Sequence, residues 1–108
     1  MAAVLDEVAK RWSVDEHAEI TLEANPTSSD SSTFRDFHSA GINRLSRGIQ
    51  ALQDDALKFL GRTHSAAEGL TAAQIGAAVF SRISIDLIYG RPKQSIDDWH
   101  GELKLSLI

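Results

Sequence analysis

The chain has 108 residues, of which 43% are hydrophobic and 24% charged, a composition typical of one small globular domain rather than of a disordered protein. Its formal net charge of −4 argues against a nucleic-acid partner and against an anionic membrane surface, because both require a basic face. The chain contains no cysteine, which excludes disulfides and thiolate-held metal or iron–sulfur sites built from its residues alone.

The first half of the chain is predicted to begin with a helix over residues 2–12 and a strand over residues 18–24. A second helix between Asp30 and Gly41 and a second strand over residues 42–48 are predicted to follow. Apolar residues at helical spacing indicate the first helix, and the alternation of apolar and polar residues in EITLEA indicates the first strand. Pro26 ends that strand, because proline cannot donate to a sheet ladder. Asp30 and the serines around it offer N-caps for the second helix, which Gly41 ends.

The second half is predicted to form two helices, over residues 53–60 and 66–80. A strand over residues 82–88 and a final helix from residue 96 onward are predicted to follow. Gly61 ends the short first helix, and Ser65 with Glu68 matches a capping box before the alanine-rich second helix. The segment RISIDLIYG is rich in β-branched and aromatic residues, which are typical of a strand, and Pro92 ends it. Ser95 is placed to cap the final helix.

The order of these elements predicts the fold class. Strands separated by helices indicate right-handed βαβ units, and so an α/β fold whose three strands pair in parallel and in sequence order. Polar residues recur on one face of each strand, namely Thr21 and Glu23, Arg44 and Ser46, and Ser84 and Asp86. In a buried parallel sheet such groups must be satisfied by one another, by water or by a ligand.

The polar face of the sheet predicts a cavity. In α/β barrels, ligands bind at the carboxyl ends of the strands, where Glu23, Gln50 and Asp86 fall. From the pattern alone, a structural role for the two carboxylates, such as a buried network or pairing with Arg44, is an equal alternative. Arg62 also has a structural alternative, as a positive charge at the C-terminus of a helix.

The remaining side chains with chemical potential give weaker signals. The four histidines, His17, His38, His64 and His100, show no metal-binding spacing on one helix, so we expect surface or capping positions and no metal site. His64 stands out because it closely follows Arg62. No phosphate-binding glycine motif occurs, and we expect no catalytic residue in this chain.

Four motifs carry a resemblance to a known family. EITLEANP, GINRLSRGIQAL, LGRTHS and ISIDLIYGRPKQS, in this order and spacing, resemble the middle of the radical S-adenosylmethionine (radical SAM) branch that contains oxygen-independent coproporphyrinogen III oxidases and haem chaperones. EANP, GRTH and the arginine of GRPKQ resemble the chaperone side more closely. The resemblance covers residues 1–108 as one partial radical SAM core domain. It implies a three-stranded parallel βαβ segment of a partial (β/α)6, TIM-like barrel.

The resemblance also implies a site for S-adenosylmethionine. It implies that Glu23 contacts the methionine part of the cofactor, that Gln50 lies on the other side, that Arg62 lies near the charged end and that Asp86 is a second carboxylate in contact with it. Carboxylates suit a sulfonium and an ammonium, and a guanidinium suits a carboxylate. The family holds a [4Fe–4S] cluster with a three-cysteine loop that this chain lacks. We therefore expect an internal fragment that binds neither cofactor tightly by itself.

The function implied by the resemblance has two forms. On the chaperone side, the intact protein binds haem and delivers it. On the oxidase side, a deoxyadenosyl radical abstracts hydrogen from propionate side chains, which lose their carboxyl groups and become vinyl groups. Two other readings stay open: a truncated, non-catalytic α/β piece, and an unrelated α/β domain that binds a small cationic metabolite between Glu23 and Asp86.

The expected partners and location follow from the same reasoning. Haem or a porphyrin is the partner implied for the intact protein, and the open edges of a partial sheet favour self-association. No apolar run is long enough to span a membrane, and residues 1–12 lack a signal-peptide pattern, so we expect a cytoplasmic protein.

Arg47 departs from the family pattern, which usually has an apolar residue at this position. Alternation along the strand places Arg47 on the helix-facing side, opposite Ser46. A guanidinium there is expected either to extend to solvent or to reduce stability.

Overall fold

The computed structural model describes residues 1–24 and 31–107. Its elements are α1 (Ala2–Arg11), β1 (Thr21–Ala24), α2 (Ser31–Ala40), β2 (Arg44–Gln50), α3 (Asp54–Phe59), α4 (Ala66–Val79), β3 (Ile83–Leu87) and α5 (Ile96–Leu105). This order confirms the predicted alternation of helices and strands. The predicted stop at Pro26 and the predicted N-cap at Asp30 lie outside the described residues.

The three strands form one parallel sheet in the order β1-β2-β3, as predicted. Glu23 lies opposite Ser46, which lies opposite Ser84, and Asp86 lies opposite Gly48. Because residues two apart along a strand share a face, this register places the predicted polar side chains on one face of the sheet. Within the part of the chain that the structure describes, β1 and β3 are each paired on one side only.

The opposite face of the sheet packs against helices α2 and α4. Its main cluster consists of the buried residues Phe34, Ile42, Leu45 and Phe80. A Cβ at Gly76 would lie 2.6 Å from Leu45 Cδ2, so helix α4 needs a glycine there to approach β2 this closely. Each fully buried Leu or Phe side chain contributes about 1.5–3 kcal/mol, so this cluster holds the helix layer on the sheet.

Arg47 lies on this helix-covered face, as the alternation predicts. Its guanidinium carbon is 5.2 Å from the centroid of the Phe34 ring, a cation–π geometry. Of the two expected outcomes, extension to solvent does not occur, because Arg47 is fully buried beneath the helix layer, and the cost in stability stays a prediction. Burial lowers the pKa of the Arg47 guanidinium, since a low-dielectric surrounding disfavours its charged form.

Helix α5 is fixed to the sheet by a buried ion pair. Arg91 and Glu102 form a salt bridge with both side chains almost fully buried. Arg91 Nη1 also donates to the Ile88 carbonyl at 2.7 Å, and Leu52 N–H donates to Glu102 Oε2 at 3.2 Å. The pair therefore ties α5 to the segments that follow both β2 and β3. At its N-terminus, α5 has the predicted Ser95 cap, which forms a capping box with Asp98.

No helix among residues 1–24 and 31–107 is long and apolar enough to cross a membrane.

Candidate functional site

A cleft of about 470 Å³ opens at the carboxyl ends of the three strands. The structure brings together in this cleft all four residues predicted for the site, Glu23, Gln50, Arg62 and Asp86. Ser46 and Gly48 of the central strand β2 form part of its lining, together with His64. Small residues on the central strand leave open the volume between the two outer strands.

The two carboxylates lie on opposite sides of β2. Glu23 comes from β1 and Asp86 from β3, two strands that lie about 10 Å apart, twice the distance between neighbouring strands, and Asp86 lies two residues further along the sheet. Both side chains are exposed to the cleft, and in the described part of the chain neither makes a hydrogen bond or an ion pair. Two separated, solvated carboxylates suit a ligand with positive charge that is long enough to reach between them.

Arg62 reaches the cleft through the turn that ends α3. Gly61 has φ of +71°, which is accessible to glycine, and its N–H donates to the Lys58 carbonyl at 3.1 Å. Arg62 N–H donates to the Leu57 carbonyl at 2.9 Å, which completes a Schellman motif. Arg62 is exposed and, within residues 1–24 and 31–107, has no ion-pair partner. It follows the C-terminus of α3, as in the structural alternative, and it also lines the cleft.

Gln50 is the last residue of β2, two residues beyond the predicted end of this strand. Its φ of +74° is unusual for a residue other than glycine, and the pairing of β2 with β3 is irregular between Gly48 and Gln50. A Cβ at Gly48 would lie 2.6 Å from Gln50 Nε2. The Gln50 amide therefore lies over the backbone of Gly48, in the middle of the cleft floor.

His64 is a cleft residue whose position was not predicted. The expected surface or capping position is wrong for it, because its side chain is buried, with 5% exposure, and its Nε2 lies 2.9 Å from the Ile49 carbonyl oxygen. His17, His38 and His100 are exposed. The ring packs beside Gly69 of α4, where a Cβ would lie 3.5 Å from His64 Cδ2, an ordinary contact, and 3.1 Å from Ile49 Cγ2, a tight one.

The amino ends of the strands hold a separate polar network. Arg44 donates to Ser84 Oγ at 2.8 Å and to Thr21 Oγ1 at 3.3 Å, and its Nη1 lies 3.7 Å from Glu19 Oε1. Glu19 also forms an ion pair with Arg82 at 2.8 Å. The structural alternative, in which Arg44 pairs with the two cleft carboxylates, is therefore wrong.

The charges of the cleft match S-adenosylmethionine but not an iron–sulfur cluster. Glu23 and Asp86 suit the sulfonium and ammonium of the cofactor, and Arg62 suits its carboxylate. A cluster needs thiolates, and the sequence has none. Among the described residues, no group of three or more histidine or acidic side chains is arranged to hold a metal.

No protein-family model matches the chain. The chain is 45% identical over 105 residues to "Radical S-adenosyl methionine domain-containing protein 1, mitochondrial" of Bos taurus, covering 96% of this chain and 24% of that protein. It is 37% identical over 108 residues to "Heme chaperone HemW" of Escherichia coli (strain K12), covering 99% of this chain and 29% of that protein. The chain thus spans only 24–29% of the length of these curated relatives.

Among solved structures, the chain is similar to coproporphyrinogen III oxidase (HemN) from Escherichia coli, described as a radical SAM enzyme. The TM-score is 0.81 at 24% identity, over 95% of this chain and 24% of that one. This likeness confirms the predicted fold, a three-stranded parallel segment of the radical SAM barrel. The matches in sequence, over nearly the whole of this chain, show that it belongs to the radical SAM family.

Proposed function

We propose that the cleft binds S-adenosylmethionine and that the protein acts in haem metabolism as a radical SAM protein of the haem-chaperone type. The observation that supports the binding proposal is the set of three charged side chains, Glu23, Arg62 and Asp86, which line one cleft and, among the described residues, have no protein partners. Charged groups at the carboxyl ends of parallel strands are typical of ligand sites.

Each residue has a proposed role that follows from its charge and place. Glu23 and Asp86 approach the ligand from opposite sides of β2 and bind its cationic groups. Arg62 binds the ligand carboxylate, for which a guanidinium is suited. The Gln50 amide orients the ligand over Gly48, since an amide both donates and accepts hydrogen bonds. With a reduced cluster beside it, S-adenosylmethionine would supply radical chemistry, and these residues would hold and orient the cofactor.

The choice between chaperone and oxidase rests on sequence identity. The relative named as a haem chaperone is 37% identical, whereas the oxidase structure at 24% identity supports the fold alone. Haem is therefore the proposed partner, and oxidative decarboxylation of porphyrin propionates is the second candidate. The predicted cytoplasmic location stays a prediction, since the name of the bovine relative places that protein in mitochondria.

The affinity of this chain alone for S-adenosylmethionine is expected to be low. Each charge-assisted contact contributes about 1.5–3 kcal/mol at most, and less in a solvated cleft. Association costs about 4–15 kcal/mol in lost freedom of motion, so four contacts give millimolar binding at best. The cluster iron that would anchor the cofactor has no thiolate ligands here.

The binding proposal is tested by titrating the isotopically labelled chain with S-adenosylmethionine and following amide resonances by NMR. We expect shifts at the carboxyl ends of the strands, and weaker shifts with S-adenosylhomocysteine, which lacks the sulfonium charge. The variant Asp36→Asn removes a carboxylate on the outer helix α2, away from the cleft, and should leave these shifts unchanged. An absence of shifts in the cleft at millimolar ligand would contradict the proposal. Micromolar affinity by calorimetry, or stoichiometric iron after attempted reconstitution, would contradict the weak-binding estimate.

The reading frame upstream of the Met1 codon separates the remaining candidates. An open frame that encodes a CxxxCxxC loop supports an intact radical SAM protein that contains this segment. A start codon with its own ribosome-binding site supports a non-catalytic α/β piece. In the first case, haem transfer and coproporphyrinogen III conversion by the intact protein distinguish the chaperone from the oxidase.

A further inference from the structure

Gln50 has a backbone conformation that its surroundings must hold in place. Its φ is +74°, and Ala51 N–H donates to the Ile49 carbonyl at 2.9 Å, which closes a γ-turn with Gln50 at its centre. This form of the γ-turn is rare and strained. A residue other than glycine keeps such a conformation only where neighbouring contacts fix it, and such residues are common at ligand sites.

The imidazole of His64 contacts the same carbonyl oxygen that closes this turn. His64 Nε2 lies 2.9 Å from the Ile49 oxygen, and the ring is buried. A carbonyl oxygen has two lone pairs, so it accepts from both Ala51 N–H and His64 Nε2–H. Because a carbonyl only accepts, the ring must carry a proton on Nε2, and Nδ1 of the neutral ring is then an acceptor.

Two more hydrogen bonds hold the turn from outside the cleft. Ile88 N–H donates to the Gln50 carbonyl at 2.8 Å, and Leu52 N–H donates to Glu102 at 3.2 Å. Neither Ile88 nor Glu102 lines the cleft, whereas His64 does. Of these three contacts to the turn, that of His64 is therefore the one made by a residue that lines the cleft.

The turn determines where the Gln50 amide lies. With Gln50 in this conformation, its amide lies over Gly48 on the central strand, between the two strands that carry the cleft carboxylates. We propose that His64 is a positioning residue, which holds the Ile49 carbonyl and thereby keeps the Gln50 amide in place to meet the ligand. The ligand part of this inference rests on the proposed function, and the positioning part rests on the geometry alone.

The first test needs no variant. Long-range ¹H–¹⁵N correlations on the labelled chain report which ring nitrogen of His64 carries the proton, and the HN–Hα coupling with the ¹³Cα shift of Gln50 reports its φ. We expect a proton on Nε2 of His64 and a positive φ at Gln50. A ring protonated on Nδ1 alone, or a Gln50 in extended conformation, overturns the proposal.

A pair of variants then separates positioning from mere packing. His64→Leu fills the space but removes the donor, and His64→Gln offers a side-chain N–H near the position of Nε2. We expect Gln50 to leave positive φ in the first variant and to keep it in the second. His100→Leu, at an exposed histidine on α5, is the control and should leave Gln50 unchanged. A folded His64→Leu chain with Gln50 still at positive φ overturns the proposal, as does a His64→Gln chain without it.

Ligand binding gives the second readout. Gln50→Ala and His64→Leu should each weaken S-adenosylmethionine binding by about fivefold, the factor that one hydrogen bond typically contributes. The double variant should bind no more weakly than either single variant, because both remove the same contact. Additive losses contradict the positioning role. If the ligand moves no cleft resonance in the unmodified chain, the proposed function fails, and the tautomer and φ measurements still decide the role of His64.

Discussion

The two ends of the polar face of the sheet use similar side chains in different ways. At the amino ends of the strands, Arg44 is bonded to Thr21 and Ser84 and lies close to Glu19. At the carboxyl ends, the charged residues face a cleft and, in the described part of the chain, have no protein partner. The alternation of the strands places both sets on one face. What differs is the side chain on the central strand, a long arginine at one end and a glycine at the other.

This difference supports the proposal that some polar residues serve the fold and others a ligand. A network whose members satisfy one another contributes to stability. Charged groups that remain solvated and separated contribute little to stability, which agrees with the ligand role proposed for them. The backbone beneath the cleft is nevertheless firmly held, by the Arg91–Glu102 pair and by His64. The carboxyl end thus combines open side chains with a fixed backbone.

The largest effect on the free energy of unfolding is expected at the Arg91–Glu102 ion pair. Glu102→Gln should lower the free energy of unfolding by about 3–5 kcal/mol, because it leaves the Arg91 guanidinium buried without its counter-charge. Denaturant unfolding measures this change. The double variant Arg91→Met/Glu102→Leu should recover most of the loss, since apolar groups replace both charges. A loss below about 1 kcal/mol for Glu102→Gln would show that the pair is not what holds the carboxyl end.

A matched pair of arginines compares the two ends directly. Arg44→Met should cost about 1–3 kcal/mol, because Ser84, Thr21 and Glu19 lose a shared partner. Arg62→Met should change stability by no more than about 0.5 kcal/mol, since its guanidinium is exposed. Thermal or denaturant unfolding of both variants gives the comparison. Equal losses would mean that Arg62 also serves the fold.

Arg47 tests the other face of the sheet. Arg47→Leu should raise stability by about 1 kcal/mol, because a buried guanidinium costs desolvation that a leucine avoids. The gain is limited by the loss of the contact with the Phe34 ring, which itself contributes about 0.5–2 kcal/mol. Thermal melts of the two chains measure the difference. A clear loss of stability would show that the interactions of Arg47 outweigh its desolvation.

The smallest effect is expected at the N-terminus of α5. The Ser95 N–H donates to the Asp98 carboxylate and lowers its pKa below the ordinary value of 3.8. A depressed folded-state pKa means that Asp98 stabilises the helix at pH above 3.8 and loses this effect as pH falls through the folded pKa. The melting temperature of the parent chain should therefore exceed that of Asp98→Asn at neutral pH, and the gap should close on acidification. A gap independent of pH would contradict this.

Local patterns predicted the fold and most of the cleft, because alternation and turn residues act over short distances. The parallel order, the shared face of Glu23 and Asp86, and the stop at Gly61 all follow from such patterns. The start of β1 was placed three residues too early, at residue 18. Before Thr21 the chain is bonded to the Asn43 side chain, which donates to the Ala18 carbonyl and accepts from the Ile20 N–H.

The burial of His64, Arg91 and Glu102 could not be predicted, because it depends on partners that are distant in the sequence. Glu102 looks like a surface residue of an amphipathic helix until Arg91 is placed beside it. His64 is buried beside Gly69 of α4, and the Ile49 carbonyl offers its ring an acceptor. The end of β2 at Gln50 lies next to the same contact. No residue pattern within one segment of the sequence predicts these contacts between distant residues.

We propose that the carboxylates at the carboxyl ends of the strands serve a ligand rather than the fold. The double variant Glu23→Gln/Asp86→Asn tests it most directly, with unfolding free energy and the NMR response to millimolar S-adenosylmethionine measured on the same sample. We expect stability within about 0.5 kcal/mol of the parent chain and loss of the ligand-induced shifts. A stability loss of several kcal/mol, or an unchanged response to the ligand, would contradict it.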